Sequence, residues 1–265
     1  MIFVIMLKIS SFNVNSINVR LDIVINYLIE SKIDILFLQE IKCTKENFPY
    51  KEFEKLGFNV EVNGQKSYNG VAIISKFPIN LISKTLPYLN DETDAQSRFL
   101  EVKILDFRMV CVYVPNGNPT DGEKYLYKLN WLKKLYEYCK KINLTNEKFI
   151  IGGDFNIIQQ NLDCYDPNAW VNDALFTHEV RKLFTQIKNL GFLDSYRVLN
   201  PYLQRYSFWD YQSGAWQKDN GIRIDLFLVS ASVVDLLTES GIDQKQRSLE
   251  RPSDHTPVWI ELLNN

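Results

Sequence analysis

Four stretches of this sequence carry side chains suited to hydrolysing a phosphoester. Phe37-Leu38-Gln39-Glu40 ends a dense apolar run in a carboxylate. A carboxylate in that position suits magnesium, which typically takes one or two carboxylates and keeps several waters. Gly152-Gly153-Asp154-Phe155-Asn156 follows a second apolar run. Paired glycines allow close backbone approach, so Asp154 and Asn156 can address one phosphate or its attacking water, with Asp154 able to deprotonate that water. Ser253-Asp254-His255 holds one of only two histidines, and an imidazole there can donate to a phosphate oxygen and stabilise developing charge. Asp225 interrupts the apolar Ile224-Asp225-Leu226-Phe227-Leu228. A charge in such a run is costly unless paired, and pairing with His255 would fix the imidazole tautomer and raise its basicity.

Each stretch also has a plainer explanation. Glu40 is the first polar residue after a strand. Gly, Asp and Asn are ordinary turn formers. His255 could sit in a capped surface turn, and Asp225 could form a structural pair with Arg223. The second histidine, His178, lacks neighbouring metal-ligand spacing and is expected at the surface. Lys133-Lys134 and Lys140-Lys141 are expected on a solvated helix face. Tyr206, Phe208, Trp209 and Tyr211 are expected in the core or around an extruded sugar or base.

The elements that must position these groups alternate in type. Residues 7–12, 33–38, 58–62, 71–75, 99–104, 110–114, 149–151, 224–229 and 258–262 read as strands, with 149–151 stopping at the paired glycines. Residues 21–30, 121–141 and 172–190 read as helices, the last closed by Gly191. The mixture predicts an α/β fold of two sheets flanked by helices. Polar residues fall at strand ends: Asn13, Glu40, Asp154 and Asn156 after strands, Asp254 and His255 before one. In layered α/β proteins such ends converge on one edge, where sites form.

Bulk properties set limits. With 265 residues and 46% hydrophobic content, the chain suits one large domain, residues 1–265, with no linker-like segment. A net charge of −2 excludes an overall basic field, so binding to nucleic acid would need a local basic surface. Cys43, Cys111, Cys139 and Cys164 have neither zinc-site spacing nor a secretory context, and are expected to be reduced thiols. The Ile2-Phe3-Val4-Ile5-Met6-Leu7 run reads as part of a first strand rather than a leader, and either Met1 or Met6 could be the start. No stretch approaches the ~20 apolar residues of a membrane span.

Taken in order, Phe12-Asn13-Val14-Asn15, Leu38-Gln39-Glu40, Tyr113-Val114-Pro115-Asn116, Gly153-Asp154-Phe155-Asn156, Arg223-Ile224-Asp225 and Ser253-Asp254-His255 resemble the exonuclease III / AP endonuclease family. Tyr206-Ser207-Phe208-Trp209-Asp210-Tyr211 and Arg251-Pro252-Ser253-Asp254-His255 resemble its bacterial exonuclease III branch. The resemblance implies a DNase I-like four-layer α/β sandwich built on two packed mixed sheets. It implies a DNA-repair hydrolase that cuts duplex DNA 5′ to abasic sites, clears blocked 3′ ends and has 3′→5′ exonuclease activity. The implied cofactor is Mg2+, with Mn2+ as a substitute, and the implied setting is a monomer in the bacterial cytoplasm, without a membrane.

By the same resemblance, Glu40 is the main metal ligand, with Asn13 close by and Asp254 near a further metal position. Asp154 activates water, Asn156 holds the phosphate, and His255 meets a phosphate oxygen with Asp225 behind it. Tyr113 and Asn116 contact the scissile phosphate. Relatives often carry a tryptophan in the abasic-sugar pocket, where Phe208, Ile222 and Ile224 stand here. Lys66, Arg98, Lys218, Arg223 and Arg247 would supply DNA contacts. Two other readings compete: a same-fold enzyme acting on another substrate, such as a non-specific DNase, sphingomyelinase or inositol-phosphate phosphatase, and a non-catalytic DNA-binding module.

Overall fold

A computed structural model describes residues 5–87 and 96–264; the Ile2-Phe3-Val4 part of the amino-terminal run lies outside them. The described strands form two six-stranded sheets. The first sheet contains β1 (Ile5–Asn13), β2 (Ile35–Gln39), β3 (Asn59–Asn63), β4 (Val71–Ser75), β11 (Leu237–Ile242) and β12 (Val258–Asn264). Their order is β11-β12-β1-β2-β4-β3. The second contains β5 (Asn80–Ser83), β6 (Phe99–Ile104), β7 (Phe107–Tyr113), β8 (Lys148–Asp154), β9 (Leu193–Asp194) and β10 (Asp225–Val229), in the order β5-β6-β7-β8-β10-β9.

Each sheet is built around one parallel pair, β1 with β2 and β7 with β8. A parallel pair needs a crossover, and helices supply it: α1 (Ile17–Glu30) in the first sheet and α3 (Glu123–Ile142) in the second. Both crossovers bring strand carboxyl ends to the same edge. β12 runs antiparallel to β1 and β10 antiparallel to β8, so their amino ends arrive there too. This is the physical reason for the motif pattern in the sequence, acids after some strands and before others.

The sheets share a core in which Leu7, Ile9, Phe37 and Ile73 of one meet Val102, Met109, Cys111, Ile150 and Phe227 of the other, all buried. Gly152 makes the close approach possible: a β-carbon there would lie 2.3 Å from Phe227 and 2.9 Å from Phe37 of the opposite sheet. The outer face of the first sheet is covered by α1 through Val24, Tyr27 and Leu28, and by the short α2 (Tyr50–Glu54) through Phe53. The outer face of the second is covered by α3 and α4 (His178–Asn189) through Trp131, Leu135, Phe184 and Ile187. The fold is thus mixed α/β, with two sheets flanked by helices. All four cysteines are free and buried. Among the described residues no helix is long and apolar enough to cross a membrane.

Three sequence expectations need correction. The strand predicted over 149–151 runs through both glycines to Asp154, pairing Gly152 with Phe227 and Gly153 with Leu226. The helix predicted from 172 begins only at His178, capped by Thr177; the residues before it form turns. Asp225 opens its strand instead of interrupting it.

Candidate metal and phosphate site

The shared edge gathers the predicted acids and the imidazole. Ligand atoms of Glu40, Asp154 and His255 all lie within 4.8 Å of one another, and this is the one such group among the described residues. They line a cavity of about 340 Å³ together with Tyr113, Asn116, Asn156, Asp254 and Phe208. Glu40 follows β2 with φ +50, and Asn156 follows β8 with φ +50. Left-handed backbone is uncommon outside glycine. Two such residues facing one cavity mark a geometry held by its surroundings, as functional sites often are.

Asn13 organises the carboxylates. Its Nδ2 donates to Glu40 Oε1 and to Asp154 Oδ2, each at 2.9 Å. Its own oxygen accepts from the Asn15 amide at 3.1 Å. Asn13 therefore orients two acids through its side-chain nitrogen. Asn156 braces the same acid: its amide donates to Asp154 Oδ1 at 2.9 Å, and its Nδ2 donates to Val114 O at 2.9 Å. Asn116 reaches Asn156 Oδ1 at 3.3 Å.

His255 stands between two acids. Its Nδ1 lies 2.8 Å from Asp225 Oδ2, and its Nε2 lies 3.8 Å from Asp154 Oδ2. The strand register explains this, because Asp225 and Asp154 are directly paired across β10 and β8. Ser207 donates to Asp225 Oδ2 at 2.6 Å, and the Phe208 ring meets the imidazole edge-on at 4.9 Å. Burial alone would lower the His255 pKa, but Asp225 and Asp154 outweigh it and raise it to about 10. The ring is therefore held as an imidazolium, with Nε2 aimed towards Asp154.

The acids respond to the same crowding. Burial, with Asp225 and Glu40 nearby, lifts Asp154 to about 7 against the pull of His255 and Asn13. Burial also pushes Glu40 upward, but Lys42, in an ion pair at 2.9 Å, and Asn13 hold it below the usual range. Burial, then Glu40 and Asp154, lift the Tyr113 phenol well above its ordinary value, so it stays a donor. A protonated imidazole offers no lone pair, so the donors left for a cation are carboxylate oxygens. Hard oxygen ligands with room for water suit magnesium or a similar divalent ion.

The remaining predicted residues divide. Asp254 lines the cavity and accepts from Asn15 Nδ2 at 3.1 Å, but it stands outside the three-residue cluster. Phe208 and Ile224 line the cavity, whereas Ile222 is fully buried behind them. Arg223 does not face the site. Its guanidinium is buried between Asp163, at 2.7 Å, and Asp194, at 2.7 Å. Arg247 is also buried, stacked on Tyr211 and Trp216. Lys218 is exposed and bonded to Ser213 O. Arg98 stacks on the Tyr113 ring at 4.6 Å and lines a neighbouring groove with Tyr68, Asn69 and Lys124. Lys66 is exposed. His178 is exposed at the start of α4, as expected.

Sequence reasoning missed Lys128. It is fully buried on α3, and its Nζ donates to Asn116 O at 2.8 Å and Asn156 O at 2.6 Å. Burial lowers its pKa to about 7, against the pull of Asp154 and Asp173. A signal was present: Tyr125, Lys128, Trp131, Leu132 and Leu135 share helical spacing, which puts this lysine on the apolar face. Trp170, which also lines the cavity, had no such signal.

Glu40, Asp154 and His255, gathered at one edge of the two sheets, form a cluster able to bind a divalent metal. The chain belongs to the Endonuclease/Exonuclease/phosphatase family, whose model matches residues 10–255. Exodeoxyribonuclease III of Haemophilus influenzae is 33% identical over 96% of this chain and 99% of its own. A 3′ phosphatase, NExo, from Neisseria, solved with product DNA hairpin, superposes with TM-score 0.93 at 37% identity over 97% of this chain and 99% of its own. An AP endonuclease from Archaeoglobus fulgidus superposes with TM-score 0.92 at 35% identity over 98% of this chain and all of its own. Within the family the chain stands close to the exonuclease III / AP endonuclease branch.

Proposed function

We propose that this chain is a Mg2+-dependent DNA-repair hydrolase of the exonuclease III type. It incises duplex DNA 5′ to abasic sites, removes blocked 3′ ends and degrades 3′ ends, acting as a monomeric single domain in the cytoplasm with a DNase I-like four-layer architecture. The observation that carries this reading is the gathering of Glu40, Asp154 and His255 in one cavity, with Asp225 buried behind the imidazole. Its DNA-cleaving relatives align over nearly the whole chain.

Glu40 and Asp154 are the residues that would hold the metal. A divalent ion held there would neutralise phosphoryl charge and stabilise the leaving oxygen. Asp154, beside the His255 imidazole at 3.8 Å, would orient the attacking water and accept its proton. The His255 imidazolium donates to a phosphoryl oxygen as charge builds there. Tyr113 and the Asn116 amide hold the remaining phosphate oxygens, while the Asn156 amide keeps Asp154 in place. Manganese, with the same oxygen preference, substitutes. The groove of Tyr68, Arg98 and Lys124, which shares Asn116 and Asn118 with the cavity, continues the path for the backbone and supplies the local positive charge that a net charge of −2 requires.

The test is a duplex carrying one abasic-site analogue, incubated with Mg2+ or with a chelator. Incision at that site only with Mg2+ is expected. Equal cutting of undamaged duplex, or binding without cleavage in Mg2+, would overturn the proposal.

A further inference from the structure

Arg223 and Arg247, expected at the DNA, are buried in the protein, so a chain of net charge −2 must present positive surface elsewhere to hold a polyanion. One face of α4 does so. His178, Arg181, Lys182, Thr185, Gln186 and Asn189 recur at helical spacing and line an open groove of about 820 Å³, while Val180, Phe184 and Ile187 bury the opposite face. None of the six is acidic, and Glu179, the one acid of the helix, does not line the groove. Arg181 is held in place. Its Nε donates to Gln159 O at 2.9 Å, and its guanidinium stacks on the Phe176 ring at 4.5 Å. Its two terminal nitrogens and the exposed Lys182 ammonium are left without a partner among the described residues. The Thr185 hydroxyl is engaged with Arg181 O at 2.8 Å, but exposed His178, Gln186 and Asn189 keep their donors free. The groove also takes in Val171 and Phe176, from the same turn that presents Trp170, Asp173 and Leu175 to the catalytic cavity. A single turn of chain separates the two.

Resting on the DNA-repair reading above, we propose that this face of α4 is a second DNA site, which takes the phosphate backbone of the duplex outside the catalytic cavity. Arg181 and Lys182 meet backbone phosphates, and His178, Gln186 and Asn189 donate to neighbouring phosphate oxygens. The stripe from His178 to Asn189 is about 16 Å long, enough for several phosphates at one charge per about 3.4 Å of axis on each strand. A polyanion suits the groove better than an apolar peptide, because donors run along its length and its apolar lining is confined to Val171 and Phe176. A guanidinium already fixed by stacking and one hydrogen bond loses little freedom when a phosphate arrives. Backbone contacts carry no sequence information. This site therefore grips the duplex, and the cavity selects where it is cut.

The test is equilibrium binding of the full chain, in chelator, to a duplex with one abasic analogue and to the matched intact duplex, between about 0.05 and about 0.2 M salt. The double variant Arg181→Gln with Lys182→Gln is expected to bind both duplexes about ten-fold more weakly, and to lower the slope of log affinity against log salt by about two. The ratio between the two duplexes is expected to stay within about three-fold of the parent's. The charge-keeping pair Arg181→Lys with Lys182→Arg is expected to retain the parent slope. Lys133→Gln, at an exposed lysine of α3, is expected to leave it unchanged. If the double variant fails to fold, Lys182→Gln alone takes its place, with a slope lowered by about one. A parent that binds and cuts the abasic duplex, with variant affinity and slope unchanged, overturns the α4 site alone. So does a loss confined to the abasic duplex, or an equal fall in Lys133→Gln. A parent that neither binds nor cuts overturns the repair reading, and this inference with it.

Discussion

Asp225→Asn separates the charge behind His255 from its shape. Asp225 Oδ2 accepts from Ser207 at 2.6 Å and lies 2.8 Å from His255 Nδ1, while Oδ1 is buried without a partner. An asparagine oxygen can keep both contacts, with its NH2 taking the place of the unpartnered oxygen. What disappears is one negative charge. An opposite charge this close moves an ionisable group by about 1–3 pKa units, or about 1.4–4 kcal/mol. His255 titrates near 10, so the variant holds its imidazolium far less firmly near neutral pH. Loss of a positioned charge stabiliser lowers kcat about 10²–10³-fold, and that is the expected fall in abasic-site incision. Stability gives an independent readout. The folded pKa of His255 lies above its unfolded value of about 6.5, so its stabilisation is complete below that value and fades as pH rises through about 10. In urea unfolding of the metal-free protein, the gap between parent and variant is expected to be widest near pH ~6 and to close towards pH ~10. A gap of constant size, or a kcat within about three-fold of the parent, would show that the charge of Asp225 is not what sets His255.

Metal binding should be proton-linked. Burial and neighbouring acids lift Asp154 to about 7, and a cation must displace that proton. Affinity for Mg2+ should therefore rise with pH through about 7, and calorimetry in two buffers of different protonation enthalpy should read proton release that shrinks above it; equal release on both sides would contradict this. Arg223→Met should cost about 3–5 kcal/mol of folding stability by stranding Asp194, since Asp163 keeps Arg197, while leaving the salt dependence of DNA binding unchanged. A salt slope reduced by about one would instead make Arg223 a phosphate contact. Lys128→Met should lower kcat on the abasic duplex about ten-fold with KM little changed, because two carbonyls that hold the phosphate-facing loops lose their donor. A lowered melting temperature with unchanged kcat would reduce Lys128 to a purely structural role.

Much of the fold was legible because its strands are dense in apolar residues and its site residues lie where those runs end. The strand over 71–75 and the one over 99–104 were read to the residue. The paired glycines misled because they suggest a turn, whereas here they let Phe227 and Phe37 close between the sheets. The edge strands β5, β9 and β11 were missed, being short or half-polar. In the site, Glu40, Asp154 and His255 could be named because each ends or precedes a strand. The turn of Arg223 away from the cavity was not legible, since its partners Asp163 and Asp194 lie 60 and 29 residues away. Trp170 was illegible for a similar reason: only the folded chain brings its turn beside Phe208.

The grip of Lys128 falls on main-chain oxygens of Asn116 and Asn156, not on what those residues display. That grip is therefore indifferent to what either side chain carries, although the Asn156 amide has a task of its own, donating to Val114 O and Asp154. Exchanging the Asn116 amide for another group can retune which esters are accepted while the lysine still ties both loops. The lysine beneath them has no such freedom, and any lineage that diversifies its substrates on this scaffold must do so above it.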